Sequence, residues 1–134
     1  MSVIDNISAA LPLVLTVESF MALFIGIVVG VFAGAVPGMS ATMAVALTLP
    51  CTFSLPPFTG LLLLLGVSTG GIFGGSIPAI LIKTPGTPAS SATSLDGDPM
   101  AEKGEAGKAL GMALYASCTA DLMSNMALIL FAGW

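Results

Sequence analysis

The 134 residues include no arginine and no histidine, and only three lysines. Without a guanidinium fork the chain has no bidentate clamp for carboxylate or phosphate, and without imidazole it lacks the commonest metal ligand and general base. No nucleophile–base pair and no cluster of metal-ligating residues stands out, so neither an enzyme nor a resident cofactor is expected, and no nucleic-acid partner. Charged residues make up only 7% of the chain and hydrophobic residues 56%, against about 25% charged in soluble domains, which excludes an ordinary soluble fold. Cys51 and Cys118 form no CxxC pair and fall in separate apolar segments. They read as small packing residues, with no redox compartment implied. The N-terminus, Met1 to Asn6, lacks the basic start of a secretory signal peptide.

Proline and glycine, at 9 and 16 residues, are abundant, as in membrane helices that pack closely or are interrupted. From Ser19 to Ile82 there are 64 residues with no charged side chain. At about 1.5 Å per residue such a run corresponds to roughly three bilayer crossings of about 30 Å. The fold class implied is an all-α, polytopic membrane bundle. Residues 7–16 are too short to cross and contain Pro12, which suits an interfacial lead-in. A first span covers about residues 17–36, with Gly26, Gly30 and Gly34 on one face, and Gly38 continues the series. A half-helix follows at about 40–50, ending at Pro50, and then a turn at Ser54-Leu55-Pro56-Pro57. A second span, about 58–82, carries Gly66, Gly70 and Gly74. Residues 83–107 read as a polar loop in which Asp96-Gly97-Asp98-Pro99 forms a solvated turn. A last span runs from about 108 to 133, with Trp134 at interfacial height. Lys103 and Lys108 put the preceding connection in the cytoplasm. The N-terminus is then cytoplasmic if residues 40–55 re-enter, and periplasmic if they complete a crossing.

The interruptions carry the functional reading. Backbone groups freed inside hydrocarbon cost several kcal/mol each, so breaks persist only where they are buried in protein or line a cavity. Pro37-Gly38 is followed by Ser40 and Thr42. Lys83-Thr84-Pro85-Gly86-Thr87-Pro88-Ala89-Ser90 places Pro85-Gly86 as a helix stop, Thr87 as N-cap and Pro88 at the first helical position. Both patterns open a helix with hydroxyls around its positive end, which suits a carboxylate. Transporters pair such discontinuous helices at one site, with N-termini towards an anion. The substrate-binding candidates are therefore Pro37, Gly38, Ser40, Thr42, Lys83, Thr84, Pro85, Gly86, Thr87 and Ser90. Lys83 either neutralises a substrate carboxylate or snorkels to the interface. Asp121, on one helical face with Ser117 and Asn125, is a candidate for ion coupling, with packing in the bundle as the alternative.

Gly34-Ala-Val-Pro37-Gly38-Met-Ser-Ala-Thr-Met, Gly70-Gly-Ile-Phe-Gly-Gly75-Ser76, Thr84-Pro-Gly-Thr-Pro-Ala-Ser90, and Leu95-Asp-Gly-Asp-Pro followed by Lys103-Gly-Glu-Ala-Gly occur here in a fixed order. In that order and spacing the chain resembles the large membrane subunit of the tripartite tricarboxylate transporters, the TctA family, over about residues 20–120. The resemblance implies a multi-pass permease of the bacterial inner membrane, driven by a Na⁺ or H⁺ gradient. It also implies carboxylate delivery by a periplasmic substrate-binding protein and a small four-helix membrane subunit as partner. Asp121 departs from a small-residue position of the family. The match is to the N-terminal portion only, so the alternative for this chain by itself is a truncated, non-transporting fragment or a helical assembly subunit. Its glycine faces would then be open to lipid.

Overall fold

Thr16 caps the helix that opens at Val17: its hydroxyl accepts from the Ser19 N–H, and Glu18 in the first turn complements the helix dipole. The computed structural model describes residues 12 and 14–132. The lead-in at 7–16 falls largely outside them, as does Trp134. Helix α1 covers Val17–Ala35, α2 Ala41–Thr52, α3 Pro57–Gly74 and α4 Ser76–Ile82. A 3-10 turn, Pro88–Ser90, leads into α5, Ser91–Glu102, and α6 covers Ala106–Ala132. Among the described residues there is no strand. Three stretches among the described residues, Val17–Ala35, Pro57–Ile82 and Ala106–Phe131, are long and apolar enough to cross a bilayer, and the molecule is an all-α membrane protein.

The glycine faces do not open to lipid; they close on each other. A methyl on Gly26, Gly30 or Gly34 would strike the carbonyls of Leu63, Val67 or Gly71, and one on Gly66, Gly70 or Gly74 those of Leu23, Ile27 or Val31. Backbone lies on backbone, a contact that only the absence of Cβ allows. Both residue series rise together, so α1 and α3 run parallel. The chain must therefore return between them, and α2 provides the return: Ala41 lies against Gly71 and Thr52 against Gly60. Within residues 40–55, α2 thus runs back beside α3.

Helix α2 continues through Pro50 to Thr52, two residues past the stop read from the sequence. Pro50 sits in the last turn, where the single N–H it removes costs little packing. Pro78 lacks the N–H that Gly74 O would accept, and α3 gives way to α4 at Gly75, whose backbone stays in the right-handed helical region. The end of α4 is set by Lys83 rather than by Pro85-Gly86: Lys83 adopts φ 57° and its N–H reaches Pro78 O.

The segment 83–107 is not a polar loop, since α5 occupies its middle. Asp96-Gly97-Asp98-Pro99 is helical rather than a solvated turn, and Gly97 and Asp98 are buried. The reason is tertiary: Gly97 lies flush on the fully buried Ile80, where a methyl would come to 2.7 Å of Ile80 Cγ1. Cys51 and Cys118 are exposed and unpaired, not in packing positions.

Candidate functional site

After Lys83 reverses the chain, Thr84 to Thr87 runs back beside α4. The Gly86 N–H donates to Gly75 O at 3.3 Å, and Thr87 packs on Gly75. Gly75 precedes Lys83 by eight residues, so the chain dips about 12 Å below the helix end before α5 begins. Gly86 has to be glycine here, because a methyl would lie 2.8 Å from Gly34 O and 3.0 Å from Gly75 Cα. The two interruptions therefore meet: the end of α1 touches the dipping segment, and the start of α2 lies against Gly71, one turn from Gly75.

At this level the first turns of two helices face one open cleft of about 770 Å³, lined by Ser40, Ala41, Thr42, Val45, Ser68, Ile72, Thr87, Pro88 and Ala89. Helix α2 runs away from the cleft in one direction and α5 in the other, so their N-termini converge on it. Ser40 caps α2 by accepting from the Met43 N–H at 3.3 Å, with its hydroxyl 2.7 Å from that of Thr42. The N–H groups of Ala41 and Thr42 are left without intrahelical partners. At the other wall Thr87 and Ser90 form a capping box. The Ser90 N–H donates to Thr87 Oγ1 at 3.3 Å, and the Thr87 N–H donates to Ser90 Oγ at 3.1 Å. The Ala89 N–H is left over there. Partial positive charge thus arrives from both sides, with hydroxyls between, an arrangement suited to an anion.

Of the residues singled out from the sequence, Ser40, Thr42 and Thr87 line this cleft. Pro37 and Gly38 shape the approach to α2, and Gly38 holds φ 88°. Pro85 and Gly86 belong to the dipping segment. Ser90 is buried within its capping box, and Thr84 is exposed, donating to Ile82 O at 2.9 Å. Lys83 does not line the cleft. Its Nζ lies 2.5 Å from Asp98 Oδ2 and 3.9 Å from Glu102 Oε1, and the hydrogen bond and charge of Asp98 raise its pKa above the ordinary lysine value. Ser68, from the middle of α3, is a cleft residue the sequence does not mark. A single serine in a long apolar helix carries no local signal.

Asp121 lies apart from this cleft. With Ser117 and Cys118 of α6 it lines a second cavity of about 260 Å³, across from Thr69, Gly70 and Phe73 of α3. Asn125 is exposed and does not line it. Among the described residues no three His, Cys, Asp or Glu side chains gather as a metal site.

Fold and cleft together define an all-α membrane protein in which the starts of two helical segments meet at one cleft. The chain belongs to the tripartite tricarboxylate transporter TctA family, whose pattern matches residues 20–134. It is 39% identical over 131 residues to an uncharacterized 52.8 kDa protein of Agrobacterium vitis, covering 95% of this chain and 26% of that protein. The chain thus spans about a quarter of that relative's length. No solved structure matches it.

Proposed function

We propose that this chain forms one wall of the substrate path in a permease for tricarboxylates or related organic anions. The observation that carries the reading is the convergence of two helix N-terminal turns, with the hydroxyls of Ser40, Thr42, Ser68 and Thr87, on one cleft in a chain of this family. Among the described residues no lysine lines the cleft, so substrate charge would be met by N–H groups and hydroxyls on this side. The transporter works in the bacterial inner membrane as a multi-pass, non-enzymatic subunit. A periplasmic binding protein delivers the carboxylate, and a small membrane subunit completes the assembly. Transport is driven by Na⁺ or H⁺, with Asp121 offering a carboxylate to the coupling ion beside Thr69 and Ser117.

The test is uptake of labelled citrate by cells carrying the full-length protein. Gly38→Leu and Thr87→Val are expected to abolish uptake while the protein still inserts. Normal transport by both variants would remove the cleft from the path. The exposed length of α6 favours a second reading for these residues by themselves, a helical assembly element that needs further helices before it binds anything. Citrate binding by purified residues 1–134 would overturn that reading.

A further inference from the structure

Asp98 is buried at 6% exposure, and among the described residues no hydroxyl or amide reaches its Oδ2. The partner of that oxygen is the Lys83 ammonium, which comes from the reversal point at the end of α4 and is itself exposed. Because an unpaired carboxylate in such a place is costly, the pair ties α5 to the Lys83 end of α4. A second tie lies about 12 Å deeper, where Gly86 bonds to Gly75 O and Thr87 packs on Gly75. Between the ties Gly97 rests on Ile80 with no side chain to act as a spacer. The angle of α5 is thus fixed at two points, and the segment that leads into it, Thr87 to Ala89 at the start of the 3-10 turn, is one wall of the cleft.

We infer that Lys83 and Asp98 are a positioning pair, which sets the Thr87–Ala89 wall by clamping α5 to α4, and that Lys83 does not meet the ligand. Glu102, 3.9 Å from the same ammonium, is the other charged group facing it. What the wall holds rests on the carboxylate reading above; the clamp itself does not.

The test uses the full-length protein in membrane vesicles, with native cysteines removed and Ala89→Cys as a reporter, labelled by N-ethylmaleimide without substrate. The double variant Lys83→Met/Asp98→Asn removes both charges and leaves no orphaned carboxylate, so it should accumulate in the membrane. Its reporter is expected to label at a rate changed by about threefold or more, while Lys83→Arg, which preserves the pair, keeps the parental rate. Labelling of the double variant within about 1.5-fold of the parent would overturn the inference. So would its failure to accumulate, because the pair would then hold up the fold and not the wall. In the reporter-free protein the same double variant should raise the KM for citrate uptake more than it lowers the maximal rate. Changed labelling in a protein whose parent moves no citrate would leave the clamp standing and sink the carboxylate reading instead.

Discussion

Ser68 is half-buried in the cleft wall, and among the described residues no hydrogen-bond partner occupies its hydroxyl. Removing that hydroxyl leaves no capping interaction unmade, unlike Thr87, whose side chain both lines the cleft and caps a helix start. Ser68→Ala is therefore expected to leave membrane levels unchanged and raise the KM for citrate by about tenfold, the loss typical of one hydrogen bond to a charged group. Equal KM values for variant and parent would exclude Ser68 from the path. The Lys83 pair makes a different prediction. Its pKa is raised on folding, so its contribution is fully present below the ordinary lysine value and is lost only as pH climbs through the higher folded value. Labelling at position 89 should therefore be flat between about pH 6 and 9, apart from the reagent's own pH dependence, and change under strong alkali. The Thr87-Pro88 helix start was legible because N-cap chemistry is local. The burial of Asp98 was not, since it depends on α4, which lies beside α5 only after the chain has doubled back.

Between elements, the seam of α1 and α3 leaves no room for side chains. Gly30→Leu or Gly70→Leu would drive a side chain into a backbone carbonyl of the other helix, and backbone cannot step aside as a flexible side chain can. Overpacking costs about 1–3 kcal/mol where side chains can move, and more is expected here. Either variant should lower the detergent-solubilised protein's thermal midpoint by several degrees or prevent accumulation. Gly107→Ala on α6, where a methyl meets nothing within 4 Å, serves as the control and should not. The four-residue spacing revealed each glycine face, but periodicity cannot say that two such faces are partners or that they run parallel. Asp96-Gly97-Asp98-Pro99 misled for the opposite reason. Its turn chemistry is real, yet Gly97 against Ile80 outweighs it and keeps the segment helical.

Across the whole chain, parallel α1 and α3 with α2 returning between them put the start of α1 and the Lys103 end on opposite faces of the membrane. Combined with the cytoplasmic preference of lysine-bearing connections, this predicts an outward-facing α2–α3 turn. Ser54→Cys should react with an impermeant maleimide added to intact spheroplasts, and Lys103→Cys only after lysis. The reverse pattern would invert the molecule. The three long apolar stretches are legible in the run of the sequence, whereas sidedness is not, because it depends on whether residues 40–55 re-enter or complete a crossing. The dip that carries Thr87 to the level of Gly75 also has an electrical meaning. Where Lys83 lies at the edge of a hydrocarbon layer about 30 Å thick, a ligand held about 12 Å below it has entered roughly 0.4 of that layer. In a uniform field, each elementary charge brought there from the lysine side carries about 0.9 kcal/mol of work per 100 mV. Occupancy of the cleft by a polyanion would thus vary with membrane voltage even before any helix moves.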